Sequence, residues 1–124
     1  MSFEELLSLL DARGAVPAEA GRAVEGVYTS DLLSDAMAHA PENGVLVTIQ
    51  AHKNTVAVAT LRDLTAIVIC NNRPLPDDML EAARSEGIGV AVTGLDQYAV
   101  SGRLYGRLGE GGQSSETGTT GAAG

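Results

Sequence analysis

The chain has 124 residues, enough for one domain with a substantial hydrophobic core. Its formal net charge of −8 at pH 7 argues against nucleic acid or anionic lipid as a generic partner, because both require a basic protein surface. With no Trp, one Phe and three Tyr, the core must be built mainly from aliphatic side chains.

We expect neither a secretory signal nor a membrane span in this sequence. The acidic Glu4 and Glu5 argue against a secretory signal, and no apolar run approaches the length of a membrane span. The single Cys70 excludes an internal disulfide and a cysteine-based metal cluster, and it most simply packs as a small apolar residue. We therefore expect a cytoplasmic protein.

The N-terminal third predicts a helix, two short strands and a second helix. Ser2 followed by Glu5 matches a capping box that opens an amphipathic helix. Short strands are expected at residues 15–16 and 23–28. A helix over residues 32–40 should follow, capped by the polar residues immediately before it.

The centre of the chain predicts a strand, a helix and a strand. The apolar runs over residues 45–50 and 66–70 are typical of parallel strands buried on both faces. The segment between them has the length of a crossover helix, which we expect Asn54 to cap. Residues 55–60 also alternate in polarity, so a meander of three antiparallel strands remains open, although their alanines favour the helix.

The last third repeats this pattern. Two aspartates open a predicted helix over residues 77–85, and Gly87 is its expected C-terminal stop. A buried strand over residues 88–92 follows. Asp96 then leads a last helix that we expect to end at about Tyr105.

Four alternations of strand and helix predict a single α/β domain with a mostly parallel sheet flanked by helices. We expect this domain to span residues 1–107. Residues 108–124 are rich in Gly, Ser and Thr and bring little apolar bulk, so they are predicted to form a disordered tail.

Polar side chains follow each predicted parallel strand. Because such strands end at one edge of a sheet, and ligands bind outside these carboxyl ends, we expect a pocket there. His52 and Lys53 lie beside a predicted helix N-terminus and favour an anionic group on the ligand, more strongly once the histidine is protonated. The carboxylate of Asp31 and the side-chain amides of the asparagines would bind an uncharged, hydrogen-bonding part of the ligand. The predicted ligand-binding residues are Asp31, Gln50, His52, Lys53, Asn54, Asn71, Asn72 and Arg73.

Each of these residues also has a simpler interpretation. Asp31 and Asn54 could serve only as helix caps, and His52 and Arg73 could be solvated loop side chains. Signatures of catalysis are missing: the sequence has no phosphate-binding loop, no dinucleotide fingerprint, no zinc-binding His-Glu-x-x-His and no nucleophile elbow. An enzyme is therefore disfavoured, and we predict no metal and no cofactor.

Four segments resemble the DRTGG domain family, and together they lie within residues 14–105. They are Gly26–Ser34, Val47–Ala59, Glu86–Ile88 and Gly102–Tyr105. The chain is most similar to small stand-alone members that occur beside iron-only hydrogenase and redox-signalling genes. Other members are attached to phosphotransacetylases and to pyrophosphatases with CBS modules.

The resemblance implies a fold related to the N-terminal domain of HPr kinase/phosphorylase. It also implies a regulatory or sensing domain that binds a small anionic or nucleotide-like ligand or a partner protein. A homodimer and redox-signalling or hydrogenase-associated partners are further implications. The alternatives are a component of a protein kinase similar to the HPr serine kinase, and a purely structural dimerisation module.

The chain departs from the family pattern at two places. Typical members carry Gly-Asp-Arg after the central strand, where this chain has Ala51-His52-Lys53. They carry Thr-Gly-Gly after the next strand, where this chain has Cys70-Asn71-Asn72. Both departures fall at strand ends that we predict to border the pocket.

Overall fold

The computed structural model describes residues 1–109, which form five strands and five helices. The strands are β1 (Arg13–Val16), β2 (Gly26–Thr29), β3 (Gly44–Thr48), β4 (Ala66–Ile69) and β5 (Gly89–Val92). The helices are α1 (Phe3–Leu9), α2 (Leu33–His39), α3 (Lys53–Leu61), α4 (Asp77–Glu86) and α5 (Gln97–Leu108).

The strands form one sheet in the order β1-β5-β4-β3-β2. The pairs β2–β3, β3–β4 and β4–β5 are parallel, and β1 joins the far edge antiparallel to β5. The predicted α/β fold with a mostly parallel sheet is therefore confirmed. The antiparallel meander is wrong, because β3 and β4 run in the same direction and α3 connects them.

Helices cover both faces of the sheet, and each face has its own hydrophobic core. On one face α2, α3 and α4 pack against side chains such as Leu46, Ile67 and Val90. Right-handed crossovers between strands that follow one another in the sheet put these three helices on the same side. On the other face α1 and α5 pack against Val47 and Val68.

Local signals in the sequence set several helix ends. The capping box is present: Ser2 Oγ accepts from Glu5 N at 3.0 Å, and Ser2 N donates to Glu5 Oε1 at 2.8 Å. Gly87 ends α4 in the left-handed conformation, with φ of 72°. Asp96 caps α5, where its carboxylate accepts from Ala99 N at 2.8 Å.

Two capping predictions are wrong. The N-cap of α2 is Leu32, and no side chain caps this helix. The Ser30 hydroxyl accepts a hydrogen bond from the backbone amide of Leu32 itself, which precedes the first turn, and the Asp31 side chain has other partners. The N-cap of α3 is His52, because α3 begins at Lys53 and the extended backbone needed for a cap falls on the histidine. Asn54 lies inside the first turn.

The predicted domain boundary after residue 107 falls one residue before the end of α5. From residue 110 onward, the predicted tail lies outside the described residues. Among residues 1–109, no helix is long and apolar enough to cross a membrane.

Candidate functional site

The predicted site residues lie in the three segments that follow β2, β3 and β4, at one edge of the sheet. Asp31 follows β2, residues 50–54 follow β3, and residues 71–73 follow β4. Because β2, β3 and β4 are parallel, all three segments leave from the carboxyl edge. We call this set of segments the carboxyl edge.

Asp31 connects the ends of β2 and β3 to α5. Its Oδ1 accepts hydrogen bonds of 3.0 Å from Thr48 Oγ1, Ile49 N and Gln97 Nε2. The side chain of Gln50 donates to the backbone oxygen of Asp31 at 3.1 Å. Asp31 and Gln50 therefore belong to one network, and the Asp31 carboxylate already has three donors.

Gln97 is a member of this network that the sequence did not indicate. It lies in the first turn of α5, 66 residues after Asp31. The only signal in the sequence is its position just after the predicted cap Asp96, which gives no partner. Ser101 on the same helix contacts Thr29 through a hydroxyl–hydroxyl hydrogen bond of 2.8 Å.

Cys70 is buried at the end of β4. Burial raises the pKa of its thiol to about 11, and the negative charges of Asp31 and Asp96 add to this shift. The thiol is therefore protonated at neutral pH and is a poor nucleophile. This is the environment of a packing residue.

His52 caps α3 through its imidazole ring. Its Nδ1 accepts from Asn54 N at 3.1 Å, so the neutral ring carries its proton on Nε2. Thr55 holds the same corner by donating its hydroxyl to Gln50 O at 2.7 Å. The cap therefore requires an Nδ1 that carries no proton.

Two cations of the carboxyl edge are exposed. Lys53 is the first residue of α3, and Arg73 lies in the loop before α4. Neither side chain takes part in an ion pair among residues 1–109, whereas Arg22, Arg103 and Arg107 each contact a carboxylate. Lys53 and Arg73 are therefore available to a negatively charged ligand.

Asn71 and Asn72 form a tight turn in the left-handed conformation, with φ of 60° and 53°. Their backbone amides donate to Leu95 O at 3.0 Å and to Thr93 O at 2.8 Å. These bonds join the loop after β4 to the loop after β5, and both amide side chains remain exposed. Within residues 1–109, no hydrogen bond or ion pair connects Arg73 to the other predicted residues.

The residues at which this chain departs from the DRTGG pattern have defined backbone conformations in the structure. Asn71 and Asn72 stand where the family has two glycines, and asparagine is the side-chain-bearing residue that best tolerates positive φ. His52 stands in place of an aspartate and supplies a cap acceptor, and Lys53 retains the positive charge of an arginine.

A depression of about 370 Å³ begins at the carboxyl edge and runs between α3 and α4. Of the predicted residues, Lys53 and Asn54 line it at one end. Leu61, with 71% of its surface exposed, and Glu86 lie at the other end. The sequence did not predict this groove, because it depends on how two helices from different crossovers pack.

A second polar cluster lies away from the carboxyl-edge loops, where α2 packs against the edge strand β2. The Tyr28 hydroxyl donates to Asp35 Oδ2 at 2.8 Å, and His39 Nδ1 lies 3.1 Å from Asp35 Oδ1. The rings of Tyr28 and His39 stack with centroids 6.0 Å apart. The hydrogen bond from Tyr28 is the main reason that the pKa of Asp35 is lowered, and it raises the pKa of Tyr28.

No protein-family model matches the chain. A search of curated proteins finds no similar sequence. Among solved structures, the chain is similar to the CBS and DRTGG domains of the regulatory region of Clostridium perfringens pyrophosphatase, solved in complex with the activator diadenosine tetraphosphate. The TM-score is 0.71 at 14% sequence identity, over 90% of this chain and 47% of that one.

This likeness supports a DRTGG-like fold for the chain. The chain spans about half the length of the pyrophosphatase regulatory region, and at this identity the comparison establishes the fold alone.

Proposed function

We propose that the chain is a non-catalytic regulatory domain that binds a small anionic ligand of the nucleotide class at the carboxyl edge. The observation that carries this proposal is the pair of exposed cations, Lys53 and Arg73, in the segments that follow the adjacent parallel strands β3 and β4. Ligands of open parallel sheets bind at this edge, outside the carboxyl ends of the strands.

The first turn of α3 suits the negatively charged part of such a ligand. Lys53 opens a helix of nine residues, and a helix N-terminus attracts anions through its partial positive charge. His52 can add a donor at Nε2 while its Nδ1 keeps the cap. A phosphate held here would not require the imidazole to be protonated, in contrast to the expectation from sequence.

The exposed amides of Asn71 and Asn72 suit the uncharged part of the ligand. Each offers a donor and an acceptor on a turn that backbone hydrogen bonds join to the loop after β5. The structurally similar pyrophosphatase region was solved with a nucleotide activator that carries several phosphates, which supports a nucleotide as the ligand class.

A regulatory domain of this kind acts through another protein. The resemblance to stand-alone DRTGG proteins leads us to propose a redox-signalling or hydrogenase-associated partner in the cytoplasm. In this proposal, ligand binding at the carboxyl edge changes the affinity for that partner, and no phosphate is transferred.

Calorimetric titration with AMP, ADP, ATP and diadenosine tetraphosphate tests the proposal. We expect one of these nucleotides to bind, and Lys53→Ala to weaken binding by about 1–3 kcal/mol, the range for a charge-assisted hydrogen bond. Arg84→Ala is the matched control, because Arg84 is an exposed cation in the last turn of α4, far along that helix from the carboxyl edge.

Equal affinities for the wild type and Lys53→Ala would overturn the assignment of the site. Binding of none of the four nucleotides would overturn the ligand class. Steady conversion of ATP by the pure protein, lost in Lys53→Ala, would favour the kinase-like alternative over a regulatory domain.

A further inference from the structure

The groove between α3 and α4 carries a charge without a partner at each end. Lys53 is the first residue of α3 and Glu86 is the last residue of α4, and both line the groove. Both side chains are exposed, and neither belongs to an ion pair among residues 1–109. We call this surface the α3–α4 groove. Its remaining lining residues are Asn54, Val56, Ala57, Thr60, Leu61 and Ala82.

The middle of the α3–α4 groove is apolar. The Thr60 hydroxyl donates to Val56 O at 3.0 Å, so its proton is already used within α3. Ala57 and Ala82 have short side chains, which leave room for another chain to approach. Leu61 has 71% of its surface exposed. Covering this surface removes apolar area from water and leaves no hydroxyl proton without an acceptor.

The shape of the groove suits a third helix. α3 and α4 run in the same direction, because each connects one parallel strand to the next strand of the sheet. The lining residues of α3 recur every three to four positions from Lys53 to Leu61, so they form one face of the helix. At a rise of about 1.5 Å per residue this face is about 12 Å long, just over two helical turns. The side chains of a helix laid along it would pack into the cleft as ridges pack into grooves.

We propose that the α3–α4 groove binds an amphipathic helix of a partner protein. An acidic residue of that helix pairs with Lys53, and a basic residue about two turns away pairs with Glu86. Apolar residues between these two pack on Leu61 and on the alanines of the groove. Helices dock into grooves of this kind through apolar anchors about one and two turns apart. The complementary charges at the two ends set the register of the bound helix.

A helix fits this surface better than a small molecule does. Sites for small molecules enclose their ligand and place several polar groups around it. In the α3–α4 groove the charged groups lie at the two ends, and the Thr60 hydroxyl between them is already bonded. Ala57, Thr60 and Leu61 are all exposed, so the groove is open along its length.

The size of the groove sets the expected strength of the complex. A face of about two helical turns covers less than the roughly 800 Å² per partner of a standard interface. Among the lining residues, Leu61 is the large apolar side chain that is mostly exposed, so it has the most apolar area to bury. We therefore expect a complex that dissociates in the micromolar range and depends strongly on Leu61.

Lys53 belongs both to the α3–α4 groove and to the carboxyl edge. A phosphate at the start of α3 and the acidic residue of a partner helix need the same ammonium group. Each of the two therefore lowers the affinity for the other, by the same factor. The helix site does not require a nucleotide, whereas this competition rests on the proposed function. It would let a nucleotide release the partner without a change of fold.

Selection from a displayed library of helical peptides tests the helix site in the absence of nucleotide. Every peptide carries one apolar face, with acidic, basic and neutral residues varied at both ends. Fluorescence anisotropy then measures the affinity of the peptide that the wild type enriches most. Leu61→Ser should weaken binding by about tenfold, because an apolar anchor is lost. Leu32→Ser is the matched control, since Leu32 is 64% exposed and lies outside the groove, and it should bind like the wild type.

A charge exchange tests the two ends of the groove. The double variant Lys53→Glu, Glu86→Lys keeps the net charge and should bind the selected peptide about tenfold more weakly. The same peptide with its own acid and base exchanged should recover the affinity for this variant. An enrichment of no peptide, equal losses in Leu61→Ser and Leu32→Ser, or a double variant that binds like the wild type would each overturn the helix site.

The competition has its own measurement. A saturating concentration of the nucleotide that binds the wild type should raise the dissociation constant of the selected peptide. An unchanged constant would overturn the shared role of Lys53. If none of the nucleotides bound while the peptide did, the proposed function would be wrong and the helix site would stand.

Discussion

His52 caps α3 by accepting a hydrogen bond at Nδ1 from Asn54 N, 3.1 Å away. The imidazole thus accepts the capping hydrogen bond that an aspartate or serine side chain commonly accepts at a helix N-terminus. The same side chain therefore has two roles, since it starts the helix and also belongs to the carboxyl edge, where a ligand would bind.

The first prediction separates these two roles of His52. His52→Ala should lower the free energy of unfolding by about 1 kcal/mol, because the cap is lost. His52→Asp should recover this stability, since a carboxylate caps well and favours the helix dipole. Denaturant unfolding of the three proteins checks the order. A His52→Ala variant as stable as the wild type would show that the cap contributes nothing.

The same variants should behave differently towards an anion. His52→Asp keeps the cap but adds a negative charge beside Lys53, so we expect it to bind the nucleotide more weakly than His52→Ala. Calorimetry with the nucleotide that binds the wild type measures this. If His52→Asp bound at least as tightly as the wild type, the anionic group would have to lie elsewhere.

The second prediction concerns the turn after β4. Asn72 has φ of 53°, so Asn72→Ala should destabilise the fold by about 1 kcal/mol, whereas Asn72→Gly should be neutral or stabilising. Arg73→Ala is a control at the next exposed position, and it should unfold like the wild type. Thermal unfolding gives the order. An Asn72→Ala variant as stable as Asn72→Gly would argue against a strained turn.

The third prediction concerns Asp31. Asp31→Ala should cost about 1–3 kcal/mol, because the buried Thr48 hydroxyl and the exit of β3 lose their acceptor. Gln97→Ala removes one exposed donor to the same carboxylate and should cost much less. Denaturant unfolding compares the two variants. Equal losses of stability in the two variants would show that the network stabilises the fold mainly through its hydrogen bond to α5.

The fourth prediction concerns the pH dependence of the cluster at β2. The pKa of Asp35 is lowered in the folded chain, chiefly by the hydrogen bond from Tyr28. Its contribution to stability is therefore present above the ordinary carboxyl pKa and is lost as the pH falls through the lowered one. Tyr28→Phe removes the main cause, so the pKa of Asp35 should rise.

Carboxyl-carbon NMR titration of the wild type and Tyr28→Phe measures that rise. Ser34→Ala, a change at the exposed neighbouring residue, should leave the titration of Asp35 unchanged. An unaltered Asp35 titration in Tyr28→Phe would mean that the hydrogen bond does not set the acidity of the carboxyl group.

Much of the fold could be predicted because its signals are local. Continuous apolar runs at residues 45–50 and 66–70 specify strands buried on both faces, and the length of the segment between them requires a crossover. Ser2, Gly87 and Asp96 set helix ends through contacts within a few residues. The direction of the strands, and hence the meeting of three polar loops at one edge, follows from those crossovers.

The sequence by itself therefore determined the α/β class, the order of the elements and the edge at which polar loops gather. Only the tertiary structure decided what the polar atoms of that edge do. His52 caps α3 because the extended backbone falls on residue 52, and Asp31 binds Gln97 because α5 crosses back over the sheet. Asn71 and Asn72 adopt positive φ because their amides bond to the loop after β5. Each of these conformations and contacts depends on where another part of the chain lies in the folded protein. The spacing of residues along the sequence does not determine that position.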